Sequence, residues 1–171
     1  TPQNSPNAFP EYRMCVDYRK INQVIKQESF PLPLLQDTIE TLAENPPLYF
    51  CSLDFKSAYS SIELDPESSE KLTFVTHMGS FRPHRLGFGV ATAPSFFQRV
   101  LSGVFRDMQY KYLGIYIDDL LLWFNNELSM VQKIREIFGR VRDVQLRLNG
   151  AKCVFGVTEI AYLGVILTRC G

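Results

Sequence analysis

What this chain has little of narrows it first. Four cysteines, Cys15, Cys51, Cys153 and Cys170, form no CxxC pair, and only His77 and His84 could join them as zinc ligands. Neither a structural zinc site nor a disulfide framework is expected. Net charge is missing as well: 18 Lys and Arg balance 18 Asp and Glu, so only local patches can attract a polyanion. The longest apolar run, residues 120–124, is far too short to cross a bilayer, and the opening TPQNSPNAFP lacks the apolar centre of a secretory signal. A soluble, cytoplasmic, reduced protein with no membrane partner is therefore expected. The lack of a starting Met reads as the mark of a fragment or processed piece of a longer chain. Internal repeats and low-complexity tracts are lacking too.

What is there is enough for a core. With 171 residues, 46% hydrophobic and 21% charged, the chain is expected to form one globular domain. Residues 1–11 read as loop and 13–18 as a short strand, followed by a polar turn region. Leu34, Leu35, Ile39 and Leu42 give a helix over about 34–42 that Asn45, Pro46 and Pro47 end. Residues 49–53 are a strand closed by Asp54, FKSAYSS makes a helical turn, and 61–64 run extended. Asp65 and Pro66 open a turn, after which 72–76 and 81–86 form a hairpin. Pro94 starts a helix with Phe97, Val100, Leu101, Val104, Phe105 and Met108 on one face, and a second amphipathic helix spans about 128–144. Strands at 153–155 and 160–167 close the chain. The order predicts an α+β layer, an antiparallel sheet covered on one face by two helices.

Asp118 and Asp119 interrupt the greasy stretch YLGIYIDDLLLWF, residues 112–124, at or near the turn between two strands. Carboxylates beside apolar strands are costly unless water, hydrogen bonds or metal ions compensate. A solvated hairpin tip would need no ligand, and Asp54 alone could simply cap the turn that follows it. If the three acids meet, they offer oxygen ligands without imidazole or thiolate, which suits Mg²⁺ or Mn²⁺ over zinc. Two such ions side by side are the apparatus of in-line phosphoryl displacement.

Six blocks then carry a resemblance: RMCVDYRKIN (13–22), FPLP from Phe30, LDFKSAYSSI (53–62), LGFGVATAPSFFQ (86–98), YIDD (116–119) and YLGVIL (162–167). In this order they resemble reverse transcriptases, most of all those of long-terminal-repeat retrotransposons of the gypsy type and their retroviral relatives. The similarity runs from about residue 12 to the end. It implies a right-hand polymerase palm with a truncated fingers portion: about 1–50 and 65–90 fingers-like, about 51–64 and 91–171 palm, with thumb, connection and ribonuclease H absent. It also implies an RNA-directed DNA polymerase that uses two Mg²⁺ or Mn²⁺ ions.

By position, Asp54, Asp118 and Asp119 match the catalytic metal ligands, and Phe55 lends a backbone carbonyl to a metal. Lys152 matches the lysine that protonates departing pyrophosphate. Arg13, Phe55, Tyr59 and Phe88 match nucleotide-binding positions, Tyr59 being the one that rejects a 2′-hydroxyl. Tyr116, Ile117, Gly89, Pro94, Gln98, Leu163 and Gly164 match primer and template positions. The implied partners are an RNA or DNA template, a DNA or RNA primer, deoxynucleoside triphosphates and the remaining polyprotein modules, in the cytoplasm within retroelement particles. The chain departs from the family pattern at Gly87, a usual Pro, at Ser60 and Ser61, and in lacking any Lys or Arg before Arg13. The alternative readings are a silent, domesticated polymerase fold that binds nucleic acid or protein, and a palm-type nucleotide cyclase.

Overall fold

The computed structural model describes residues 15–26 and 30–169. Its centre is strand β1 (Tyr49–Asp54), flanked by β5 (Asp119–Phe124) and β6 (Val154–Val157), with β4 (Leu113–Tyr116) outside β5 in the order β4-β5-β1-β6. All pairings are antiparallel. The segment YLGIYIDDLLLWF forms the expected hairpin, and β5 reads as a nearly unbroken apolar run because both of its faces are covered.

Side chains alternate across a strand, so the two faces can be assigned. Cys51, Leu53, Leu120, Leu122 and Phe124 face α4 (Ala93–Val104) and α5 (Glu127–Asp143), where Phe97, Leu101, Ile137 and Val141 complete a buried cluster. Both helices start as the sequence predicts. α4 has its Pro in the first turn, and the Asn126 side chain accepts from Ser129 N–H at 2.8 Å to cap α5. Phe50, Leu121 and Trp123 point the other way. There they meet Leu42 of α2 (Leu35–Glu44) and a hairpin of β7 (Glu159–Tyr162) with β8 (Val165–Thr168). The expected two helices do share one face; the second cover was not foreseen.

Four local expectations are corrected. Residues 160–167 are not one strand, because the chain folds back at Leu163 and Gly164, whose φ values of 48° and 86° give the left-handed two-residue turn that suits a twisted hairpin. Asp65 and Pro66 open a helix, α3 (Pro66–Lys71), and the Asp65 side chain accepts from Ser68 N–H. Asp followed by Pro signals a helix start as well as a turn. Of the strand expected over 13–18, residues 15–18 carry no regular structure, and a short helix α1 (Arg19–Asn22) follows. Residues 13 and 14, and with them the expected role of Arg13, lie outside the described residues. A small hairpin of β2 (Phe74–Thr76) and β3 (Gly79–Phe81) replaces the longer one, with Arg85 bridging Glu63 beyond it. Tyr18, Leu72, Leu86 and Val90 form the core of this part and join it to the start of α4 at Ala93. No helix among the described residues is long and apolar enough to cross a membrane.

Candidate active site

Asp54 is the last residue of β1 and Asp119 the first of β5, and the register sets them directly opposite each other. Counting alternate positions from Phe50 and Leu121 puts both carboxylates on the sheet face turned away from α4 and α5. Like charges facing each other across antiparallel strands are destabilising. Asp118 sits in the two-residue turn just before Asp119. Burial first, then the charges of Asp118 and Asp54, push the Asp119 carboxyl above the ordinary carboxylate range, against a smaller pull from Lys152.

The chain leaving α5 is stitched along the end of β1. Lys56 N–H donates to the Arg147 carbonyl at 2.8 Å, and Asn149 N–H donates to the Asp54 carbonyl at 2.8 Å. This path brings Lys152 Nζ to 3.7 Å from Asp54 Oδ1, with the lysine 68% and the carboxylate 18% exposed. So exposed a lysine gains little stability from the pair. Its position beside the acids is the informative part.

The turn itself is held from beneath. Ile117 has φ 55°, a left-handed conformation that a β-branched residue adopts at a cost of about 1–3 kcal/mol. Gln98 of α4, fully buried, accepts from Ile117 N–H at 2.6 Å and donates to the Ile115 carbonyl at 3.3 Å. Expected as a primer or template contact, Gln98 is instead buried with its amide turned onto the backbone of the turn it braces.

Tyr59 lies in a short helical turn, Tyr59–Ser61, with its ring edge-on to Phe88 at 5.7 Å and to Phe97 at 6.0 Å. Its hydroxyl pKa is raised by burial and then by the charge of Asp118, which puts the ring on the Asp118 side of the site. The loop carrying Phe88 is clamped by Asn22, whose amide donates to the Gly89 carbonyl at 2.8 Å and accepts from Ala91 N–H at 2.9 Å. Gly89 has φ 96°, and a Cβ there would stand 3.2 Å from the Val16 carbonyl, so glycine is required. Sequence reasoning missed Asn22, because nothing near it in the chain reveals partners so distant. Pro94 is half-buried in the first turn of α4.

On the other side, the Tyr162 hydroxyl pKa is raised by burial and then by Asp119 and Tyr116. The β7–β8 hairpin therefore stands next to the acids. At its turn Leu163 is half-buried and Gly164 exposed. The structure thus gathers Asp54, Asp118, Asp119 and Lys152, with Tyr59 and Tyr162 close enough to feel the acids' charge.

Among the described residues, no three His, Cys, Asp or Glu side chains already surround a common metal position. The donor chemistry nonetheless suits a hard cation: the acids supply oxygen only, and added positive charge would offset the burial and the repulsion that together raise Asp119.

Comparison with known proteins agrees with this geometry. The family profile described as reverse transcriptase (RNA-dependent DNA polymerase) matches residues 4–167. The retrovirus-related Pol polyprotein from transposon 412 of Drosophila melanogaster is 36% identical over 95% of this chain, which spans 13% of that polyprotein. The one from transposon gypsy of the same fly is 31% identical over all of this chain, which spans 17% of it. A foamy viral protease-reverse transcriptase, solved in complex with RNA/DNA hybrid, has the same fold, with a TM-score of 0.84 at 16% identity over 95% of this chain and 22% of that one. From the opposed acids of β1 and β5 to the profile spanning nearly all of its length, the chain belongs to the reverse transcriptase family.

Proposed function

We propose that this domain adds deoxynucleotides to a primer 3′-hydroxyl under the direction of an RNA or DNA template. The observation that carries this reading is the register pairing of Asp54 with Asp119, with Asp118 in the adjoining turn. In this reading the three acids and the Phe55 carbonyl hold two divalent cations, Mg²⁺ or Mn²⁺. Such ions, when bound, activate the attacking hydroxyl and neutralise charge on the leaving pyrophosphate. The chain's own groups do the rest. Tyr59, held edge-on by Phe88 and Phe97, lies beneath the incoming sugar and rejects a 2′-hydroxyl. Lys152 offers its proton to the departing pyrophosphate from its place beside Asp54. The clamped loop with Gly89 and the start of α4 at Pro94 support the template and nascent pair. Tyr116, Ile117, Leu163 and Gly164 line the primer terminus.

The complexes formed by foamy viral reverse transcriptase with RNA/DNA hybrid and with double-stranded DNA support a nucleic-acid substrate of this kind. The Pol polyprotein relatives support an origin within a larger polyprotein. In this reading the other modules of that polyprotein are its partners, in the cytoplasm and within retroelement particles. Within the domain, about 1–50 and 65–90 serve as fingers and about 51–64 and 91–171 as palm. The test is extension of a DNA primer on an RNA template with Mg²⁺. Asp118→Asn should lower the rate at least about 100-fold, the scale for removing one preorganised electrostatic partner of a transition state. Equal incorporation by the two proteins overturns the reading.

A second reading is a silent fold that only holds nucleic acid. The ion pair of Lys152 with Asp54 favours it, since it supplies positive charge where a cation would sit. It expects nucleic-acid affinity unchanged by Asp118→Asn and by chelation.

A further inference from the structure

Gln98 is the one fully buried Gln among the described residues, and burying an amide is costly unless both of its ends are satisfied. Both are. Its Oε1 accepts from Ile117 N–H at 2.6 Å, and its Nε2 donates to the Ile115 carbonyl at 3.3 Å and to Ser102 Oγ at 3.3 Å. The amide therefore grips the backbone on both sides of Tyr116, where β4 gives way to the turn. That turn holds Ile117 in a left-handed conformation, and such strain persists only where surrounding structure over-determines it. Ser102 lies one helical turn further along α4 and steadies the amide from behind.

We propose that Gln98 is a positioning residue for the reaction: through Ile117 it fixes the direction in which Asp118 and Asp119 present their carboxylates. The inference rests on the metal-dependent reading of the site. Gln98 touches neither substrate nor cation; it sets the backbone from which two of the ligands project. Partners of this kind around a metal site are worth about 10- to 100-fold in metal affinity or activity.

The test uses the 171-residue chain and two substitutions. Gln98→Met keeps the volume and leaves both backbone partners unpaired. Gln98→Asn keeps the amide but shortens its reach by one methylene, which serves if the Met variant does not fold. Mn²⁺ binding is followed by electron paramagnetic resonance, and primer extension is followed against Mg²⁺ and nucleotide concentration. For the folded variant, Mn²⁺ affinity should fall about 10-fold. The rate at saturating nucleotide should fall about 10- to 100-fold, with half-saturating Mg²⁺ raised and the nucleotide KM little changed. A merely structural amide would lower the folded fraction and leave the Mn²⁺ affinity of the folded protein within twofold of wild type, which overturns the proposal. If wild type extends no primer, the polymerase reading fails, while the Mn²⁺ titration still decides for or against Gln98.

Discussion

At the scale of the residue, Asp119 is where stability and function pull apart. Its carboxylate is half-buried, faces Asp54 across the strands and neighbours Asp118 in the turn. Removing its charge should therefore help the fold while destroying the site. Asp119→Asn should gain about 0.2–1 kcal/mol, about 1–4 °C in melting temperature, when divalent ions are chelated. Adding Mg²⁺ should then raise the melting temperature of wild type and do much less for the variant, because a ligand stabilises only the state that binds it. Differential scanning fluorimetry with and without chelator checks both statements; a variant less stable than wild type in chelator contradicts them. The acids themselves were legible in the sequence, since paired charges in an apolar stretch stand out. Their meeting with Asp54 was implied by the resemblance but left open by the residue pattern, because register across distant strands is a property of the sheet. Asn22 and the inward turn of Gln98 were illegible for the same reason.

At the scale of the element, α4 and α5 are joined by one side chain. Arg140 donates to the Val104 carbonyl at 2.9 Å, answering an open carbonyl at the end of α4, and reaches Asp107 and Glu136. The Arg140 guanidinium holds the Asp107 carboxyl down at about 2. A carboxylate whose pKa falls on folding contributes stability that is present above its unfolded value and lost as pH falls through the folded one. Wild type should accordingly lose stability between about pH 4 and pH 2 more steeply than Arg140→Met, whose Asp107 titrates normally. Urea midpoints measured across that range in both proteins test this, and parallel curves exclude it. The two helices were readable beforehand because their 3.6-residue spacing is local, as was the hairpin carrying the acids. The apolar pattern of residues 160–167 hides the turn between β7 and β8, because Leu163 occupies a left-handed position that its type does not announce and Gly164 beside it is the only local turn signal.

At the scale of the whole molecule, the sheet between two unlike covers explains why so ordinary a composition makes a firm core. Phe97 is fully buried where α4 meets β1, packed edge-on against Phe55 at 5.7 Å and against Tyr59. Phe97→Ala should cost about 3–5 kcal/mol. That is a large share of the roughly 5–15 kcal/mol available to a domain, so denaturant melts should show a strongly lowered midpoint. A loss under about 1 kcal/mol would mean the cluster repacks freely, contrary to the close packing of protein interiors.

The pairing of β1 with β5 carries one more consequence, for the order of assembly. The β4–β5 hairpin closes through a two-residue turn and can form within about 1–10 μs, whereas β1 must arrive from far upstream and close a long loop. The conflict between Asp54 and Asp119 is thereby deferred until β1 docks on the hairpin, which until then carries its two neighbouring acids without the third. Docking of β1 should limit folding, so stopped-flow measurements should show Asp54→Asn folding faster than wild type; an unchanged rate contradicts this order.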